Sequence, residues 1–270
     1  MLKDITFGQY FETDSIIHKL DPRIKLLLLI AYIIFIFVVS SPLSIAFATV
    51  VIIAITVLSK IPIKLFAKNI KTILPIIIFT AILNALYVGQ GALVVHFWII
   101  NIYEGGIYRA IFMSLRIILL IIVSALLTYT STPTALTDAI ESLLSPLQYV
   151  GLKNAVHVMA LMMTIALRFI PTLIEETDKI MASQKARGAS LDSGTFAQKV
   201  KALLPVLIPL LSSSIRRAYE LADAMESRCY NGGEGRVRMK QMTLSLKDYV
   251  AVIVSATVFA AIILLNMIAL

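Results

Sequence analysis

The chain alternates between long runs of uninterrupted apolar residues and long runs in which apolar and charged residues are mixed. A helix that crosses a bilayer needs about 20 predominantly apolar residues, and the uninterrupted runs approach or reach that length. They cover approximately 24–40, 43–59, 70–88, 107–129 and 248–270. The pattern therefore predicts about five transmembrane helices. A further apolar segment, 92–103, is too short to span and is expected to be interfacial or re-entrant.

The sequence before the first span contains a signal for the start of a helix. Asp21 can accept hydrogen bonds from free backbone N–H groups, and Pro22 is tolerated at the first helical position. A helix is therefore expected to begin here and to continue directly into the first span.

The stretch 131–246 has a different pattern, because its apolar residues recur at every third or fourth position. It predicts a short helix from Thr132 to about Leu144 and two long amphipathic helices, 154–186 and 196–228. The apolar stripe of the first long helix contains Val156, Met159, Ala160, Met163, Leu167, Ile170 and Ile174. The stripe of the second contains Leu211, Ile215, Ala218, Ala222 and Met225.

The two long helices look too polar to span a bilayer, although their apolar faces are broad. They could lie along the cytoplasmic boundary, pack on each other or receive a membrane partner. Their methionines suit a surface that repacks against different partners, or they could simply fill a helical core. The glycine cluster within 231–235 is expected to end the second helix.

The composition supports a membrane protein. Hydrophobic residues make up 59% of the 270 residues and the mean hydropathy is +0.90, whereas a globular chain has about 45–50% apolar residues. We therefore predict an all-α polytopic protein in the lipid bilayer. The net charge of +8 could indicate a nucleic-acid partner, but the basic residues lie beside apolar spans with few aromatic residues among them. No nucleic-acid binding is expected.

The distribution of basic residues predicts the topology. Lysine and arginine precede the first span, separate the second span from the third and recur throughout 131–246, whereas 41–42 and 89–106 contain none. By the positive-inside rule the N-terminus and 131–246 are expected in the cytoplasm and the C-terminus outside. The expected organisation is a membrane part with four spans, 1–130, a cytoplasmic or interfacial domain of coupling helices, and a last span within 247–270.

The predicted spans carry few groups for chemistry. Arg116 is the only ionisable residue well inside one, and it is expected to bond a neighbouring helix or to reach the interface, with a role in substrate binding as the alternative. Ion-coupled carriers usually place acidic groups in their spans, and an intramembrane enzyme would need a nucleophile, a base or metal ligands there. His18, His96 and His157 are separate in sequence, and the only cysteine is Cys229. No metal or cofactor site is therefore predicted.

The sequence also lacks the Gly-x-x-x-x-Gly-Lys-Ser/Thr pattern that cradles nucleotide phosphates. We therefore expect that the chain is not an enzyme and that it does not hydrolyse ATP itself. Any energy for transport would have to come from a separate subunit.

Two short segments at the ends of the long helices have a similar design. Ala186-Arg187-Gly188 and Ser227-Arg228-Cys229 each place an arginine between small residues where a helix gives way to a turn. An exposed guanidinium at a helix end could enter a groove of a partner ATPase and bind carboxylates there. It could equally be an ordinary basic C-terminal cap, and the residues alone leave both readings open.

Three motifs, taken in order, resemble those of one known family. They are Asp14-Ser15 with His18-Lys19-Leu20-Asp21-Pro22-Arg23-Ile24-Lys25-Leu26, then Leu167-Arg168-Phe169-Ile170-Pro171-Thr172-Leu173 with Glu175-Glu176 and Gln184-Lys185-Ala186-Arg187-Gly188, and then Arg217-Ala218 with Glu220-Leu221-Ala222 and Ala224-Met225-Glu226-Ser227-Arg228-Cys229-Tyr230. They resemble the transmembrane (T) component of energy-coupling factor transporters, the EcfT/CbiQ family. The resemblance covers nearly the whole chain.

The resemblance implies a prokaryotic cell-membrane complex of this subunit, two cassette ATPases and one or more small membrane subunits, called S subunits, that bind a vitamin or another micronutrient. It implies that Arg187 and Arg228 anchor in the ATPases, with Ala186, Gly188, Ser227 and Cys229 giving room for close approach. The apolar stripes of the two long helices, without Ala160, would form the platform for the S subunit. The alternative is a self-sufficient ion-coupled secondary transporter.

One position departs from the pattern of the family, which usually has Ala-Arg-Gly at both helix ends. The second end here is Ser227-Arg228-Cys229. We expect the contact to persist, and loss of the glycine predicts a helix that continues one or two residues further, to Asn231-Gly232.

Overall fold

A computed structural model of the chain describes residues 10–87, 92–97, 100–146, 153–189, 195–232 and 243–268. Within these residues there are eight α-helices and one two-stranded hairpin. The helices are α1 Pro22–Val38, α2 Pro42–Leu58, α3 Ile63–Tyr87, α4 Glu104–Thr130, α5 Pro133–Leu144, α6 Lys153–Ala186, α7 Phe196–Glu226 and α8 Leu246–Ile268. The strands are β1 Leu93–Phe97 and β2 Ile100–Tyr103.

Four helices among the described residues are long and apolar enough to cross a bilayer, namely α3, α4, α8 and the Ala155–Ala186 part of α6. Helix α2 is apolar but shorter, and α1 has 17 residues. The prediction of a helical, multi-pass membrane protein is confirmed. Helix α6, which the sequence pattern predicts to be too polar to span, has the length and composition of a candidate span, because Arg168 is its only permanently charged residue between Ala155 and Ile174.

Helix α3 begins at Ile63, ahead of the predicted start of its span. Lys64, Lys68 and Lys71 continue the helix, because lysine is a good helix former. The apolar run therefore indicates only the apolar part of α3, and the helix itself is longer than that run at its N-terminal end.

The segment expected to be interfacial or re-entrant contains a β-hairpin. Strands β1 and β2 pair antiparallel, with His96 opposite Asn101 and Phe97 opposite Ile100. Many of the residues in 93–103 are β-branched or aromatic, and such residues favour strands. Trp98, which an interfacial segment is expected to hold at the depth of the lipid headgroups, lies outside the described residues.

The chain divides into two compact units. The N/C unit contains the described residues of Gly8–Ala139 and of Gln241–Leu270, and the middle unit contains those of Ile140–Lys240. In the N/C unit, α1, α2, α4 and α8 pack around one hydrophobic core, whose buried members include Ile36, Ile52, Leu119 and Ile262.

The start of α1 is held by a buried polar network. The Asp21 carboxylate accepts a hydrogen bond from the Arg23 backbone N–H, as expected of a helix N-cap, and Pro22 is the first helical residue. The Asp21 backbone N–H donates to the Asp248 carboxylate at 2.8 Å, across 227 residues of sequence. Lys25 is 8% exposed, and its Nζ donates to the carbonyls of His18 at 3.1 Å and Thr130 at 2.8 Å. The network therefore joins α1, α4 and α8.

The other end of α1 is also closely held. The Arg116 guanidinium donates to the Val39 carbonyl at the end of α1, which confirms the expected bond to a neighbouring helix. The Asn266 side-chain oxygen accepts from the backbone N–H groups of Ser40 and Ser41, each at 3.0 Å. These contacts fix the turn between α1 and α2 against α4 and α8.

Candidate functional site

The first helix end, at the C-terminus of α6, is closed by a hydrogen-bonded turn. The Gly188 N–H donates to the Lys185 carbonyl at 3.0 Å, and the Ala189 N–H donates to the Gln184 carbonyl at 3.0 Å. This pair of bonds forms a Schellman motif, in which the residue after the cap adopts a left-handed conformation. That residue is Gly188, with a φ of 87°. Arg187 therefore occupies the cap position itself and is exposed.

The second helix end, at the C-terminus of α7, has the same motif. The Cys229 N–H donates to the Glu226 carbonyl at 2.9 Å, and the Tyr230 N–H donates to the Met225 carbonyl at 3.0 Å. Cys229 adopts the left-handed conformation, with a φ of 55°. Arg228 thus occupies the same cap position as Arg187 and is likewise exposed.

Two expectations about the second end are wrong. The helix does not continue to Asn231-Gly232, and the glycine cluster within 231–235 does not end it, because α7 ends at Glu226 and Cys229 closes the turn. Cysteine accepts the left-handed conformation that glycine provides at the first end, so the two ends keep one geometry. Gly233 to Gly235 lie outside the described residues.

Glycine is favoured at the first end by the left-handed backbone conformation of this position. A Cβ at Gly188 would meet no atom of this chain within 4 Å, so the space beside it is open. A non-glycine residue in the left-handed region is strained by roughly 1–2 kcal/mol. Cys229 therefore carries a strain that Gly188 avoids.

We expect Cys229→Gly to raise the thermal stability of the purified protein by about 0.5–1 kcal/mol, because it relieves left-handed strain at the cost of a more flexible unfolded chain. The change is measured as the shift in apparent melting temperature in detergent. Cys229→Ala is the matched control, because it removes the sulfur but keeps the strain. An equal shift in both variants would show that the thiol, not the backbone, is responsible.

The two long helices are joined by an ion pair that the apolar pattern did not reveal. An Arg217 nitrogen lies 2.9 Å from a Glu176 oxygen, and the other Glu176 oxygen accepts from the Ser213 hydroxyl. The exposed fractions of the two charged side chains are 35% for Arg217 and 20% for Glu176. Ser213 is 7% exposed. This α6–α7 clamp holds the helices that carry the two ends.

The apolar stripe of α6 is only partly on the surface. Val156 and Ala160 are 6% and 5% exposed, so they belong to the packing of the middle unit. Met159 is 49% exposed, whereas the remaining stripe residues of α6 are half-buried: Met163, Leu167, Ile170 and Ile174.

The stripe of α7 is more open. Leu211 and Ile215 are 64% and 50% exposed. Ala218 and Ala222 are exposed as well, and Met225 is half-buried. An apolar surface on α7 is therefore available to a partner or to lipid.

A groove of about 850 Å³ runs between α6 and α7 beside the second end. Arg168, Arg217, Glu220 and Arg228 contribute its charged lining. Arg168 is exposed and makes no hydrogen bond or ion pair with the described residues. The groove is thus a basic surface that continues from Arg228 along both helices.

His157, separate from other histidines in sequence, links the second end to α5 and α6. The hydroxyl of Tyr230 lies 3.5 Å from Nε2 of His157, and Nδ1 of His157 lies 3.9 Å from a Glu141 oxygen. Tyr230 follows Cys229 directly, so this contact positions the turn beside Arg228.

Comparison with known proteins agrees with these features. The family model described as "CbiQ: Cobalt transport protein" matches residues 13–239. An energy-coupling factor transporter transmembrane protein EcfT from Clostridium kluyveri is 48% identical over 252 residues, covering 93% of each chain. The protein of the same name from Thermosediminibacter oceani is 47% identical over 252 residues, 93% of this chain and 94% of the relative. That from Bacillus subtilis is 42% identical over 261 residues, 97% of each chain.

The matched region includes both helix ends and all the motifs described above. The identities extend over almost the full length of the chain and of its relatives. The chain therefore belongs to the EcfT/CbiQ family, and it is the transmembrane component of an energy-coupling factor transporter.

Proposed function

We propose that Arg187 and Arg228 are the two points at which a pair of cassette ATPases engages this T component. The observation that carries the proposal is the shared geometry of the two helix ends, where each arginine occupies the cap position of the same turn. Both side chains are exposed, and neither makes an ion pair or hydrogen bond with the part of the chain that the structure describes. Two matching ends suit two similar ATPase subunits.

The chemistry of the ends fits an acidic groove on each ATPase. A guanidinium presents several N–H donors in a planar fork and binds carboxylates through two hydrogen bonds at once. The neighbours Ala186, Gly188, Ser227 and Cys229 are small and exposed, so they allow close approach. Movement of the ATPases during ATP hydrolysis would then be transmitted to α6 and α7.

The exposed apolar residues of α6 and α7 would receive the S subunit. The strongest support comes from Leu211 and Ile215 on α7 and from Met159 on α6, which are about half or more exposed. Val156 would contribute to this surface only indirectly, by packing beneath the exposed residues, since it is buried in the middle unit. The substrate, a vitamin or another micronutrient, would be selected by the S subunit and not by this chain.

The proposed orientation places the N-terminus and the two helix ends in the cytoplasm, where ATP is available, and the C-terminus outside. It rests on the positive-inside distribution of lysine and arginine. The chain would then contribute no catalytic group, and the ATPases would carry out hydrolysis.

Cys229 allows the contact and the orientation to be tested with the natural sequence, because it is the only cysteine and is exposed beside Arg228. A membrane-impermeant maleimide should label it only in permeabilised cells. Assembly with the ATPases should slow that labelling strongly, because the contact would cover the second end. The rate of alkylation is followed by mass shift.

The matched control moves the cysteine to the turn between α1 and α2. Cys229→Ser combined with Ser40→Cys places an exposed thiol just after the C-terminus of α1. In the proposed orientation this end of α1 lies outside the cell, so the thiol at position 40 should react in intact cells. Labelling of Cys229 in intact cells would contradict the orientation. An unchanged rate in the assembled complex would contradict the ATPase contact.

A further inference from the structure

A cavity of about 390 Å³ lies inside the helix bundle of the N/C unit. Its wall is formed by α1, α2, α4, α8 and the segment before α1. It extends from Lys25, Leu58, Thr130 and Lys247 at one end of the bundle to Tyr32, Ile52, Val123 and Ser255 further in. Six to eight helical residues separate the two levels, which corresponds to a depth of about 9–12 Å. Most of the wall is aliphatic, so water would find few partners there.

The bundle is tight beyond the cavity and looser around it. At the far end, the rings of Phe35 and Phe259 stack at 4.0 Å between centroids, and the Ser44 hydroxyl donates to the Ile262 carbonyl at 3.5 Å. Around the cavity, by contrast, several lining residues are more than half exposed: Leu58 at 54%, Val250 at 58% and Val254 at 56%. The cavity therefore communicates with the surroundings of the bundle, from which a lipid chain can enter.

The mouth of the cavity is basic. Lys25 and Lys247 line it, and no carboxylate does. Lys25 is buried, and its ammonium group donates to the His18 and Thr130 carbonyls and, at 3.5 Å, to the Ser131 hydroxyl. It makes no salt bridge among the described residues, so its charge is not neutralised by direct contact with a carboxylate there. Lys247 is exposed and has no partner in the described part of the chain. The nearby Asp248 carboxylate is already occupied by N–H and hydroxyl donors of Asp21 and Ser245.

Tyr32 supplies an unused donor inside the cavity. Its side chain is 6% exposed, and its hydroxyl has no hydrogen-bond partner among the described residues. Buried hydroxyl groups are nearly always hydrogen-bonded. An acceptor from outside this chain is therefore expected in the cavity.

We propose that the cavity binds one anionic phospholipid. Its phosphate binds the free ammonium group of Lys247 and is attracted by the buried charge of Lys25. An ester carbonyl accepts from the Tyr32 hydroxyl, and part of an acyl chain covers the aliphatic wall. Basic pockets between membrane helices bind anionic headgroups on the cytoplasmic side, which is the side proposed for this end of the bundle. The site does not depend on the ATPase contacts, and it would fill the looser end of the four-helix core.

The experiment uses the full-length chain in nanodiscs that contain equal amounts of phosphatidylglycerol and phosphatidylcholine. After transfer to mild detergent, native mass spectrometry counts the lipids that remain bound. The natural protein should retain one phosphatidylglycerol in preference to phosphatidylcholine. Lys247→Gln should reduce that preference about five-fold, the effect expected for one lysine near a lipid phosphate.

A matched pair of substitutions on α8 tests whether the lipid occupies the cavity. Ala251 lines the cavity, whereas Ala256 is exposed and does not. Ala251→Phe should abolish retention, and Ala256→Phe should leave it unchanged. Full retention in Ala251→Phe, or equal retention of the two lipids by the natural protein, would show an annular lipid only and overturn the site. If Ala251→Phe does not fold, the exposed Lys247→Gln variant decides alone.

Discussion

Replacement of both Arg187 and Arg228 by glutamate is expected to abolish uptake by the assembled transporter while the T component still inserts and folds. In the proposed contact each introduced glutamate would face the acidic groove of an ATPase and be repelled by it. Removing one partner of a hydrogen-bonded interface charge pair costs about 2–5 kcal/mol, so even the low end for two contacts corresponds to roughly a thousand-fold weaker association. Both side chains are exposed and unpaired among the described residues, so folding should not suffer.

The measurements are co-purification of the ATPases with the tagged T component and uptake of labelled substrate into cells. Lys179→Glu combined with Arg216→Glu is the control, because it changes the net charge equally on exposed positions of α6 and α7 away from the two ends. This control should assemble and transport normally. Unimpaired uptake in the Arg187 and Arg228 double variant would contradict the proposed role of the two arginines. An equal loss of uptake in the control would indicate a general effect of the changed charge.

The location of the two ends could be predicted from the sequence because helix ends depend on local chemistry. An amphipathic stripe, followed by a small residue, a basic residue and a turn, was enough to place the end of α6 at Ala186. The conformation of Cys229 could not be predicted in this way. Its left-handed backbone goes against the intrinsic preference of cysteine. The conformation occurs together with the two hydrogen bonds that the turn makes to the carbonyls of Met225 and Glu226.

Contacts between distant segments were beyond the sequence pattern for a related reason. The sequence pattern presents Lys25 as a basic residue at the start of the first span and Asp248 as the edge of the last span, yet both are buried in one network. A pattern of apolar and polar positions describes each helix separately and does not say which polar groups meet. The pairing of β1 with β2 could not be predicted from the pattern, because a short apolar run can be a strand, a helix or an interfacial segment.

Glu176 shows the same limit, because the sequence placed it off the apolar stripe but did not pair it with Arg217 on the other long helix. Glu176→Ala is expected to loosen α6 from α7. The substitution leaves the half-buried Arg217 without its carboxylate and the buried Ser213 hydroxyl without its acceptor, and orphaned polar groups of this kind destabilise. We expect a clear drop in the apparent melting temperature. Uptake should also fall, because the clamp sets the relative positions of Arg187 and Arg228.

A double-mutant cycle separates the pair from the general effect of each substitution. It compares Glu176→Ala, Arg217→Ala and the double variant by thermal unfolding, and the double variant should lose less than the sum of the two singles. The matched control is the nearby pair of Arg216 and Glu220 on α7, in which the Arg216 Nε lies 3.9 Å from a Glu220 carboxylate oxygen. Both side chains are exposed, at 73% and 68%. Exposed helix pairs of this spacing couple by only about 0.3–0.5 kcal/mol. If the coupling of the clamp is no larger than that of the control, the two long helices are held together by their apolar contacts, and uptake in Glu176→Ala should then match that of the natural protein.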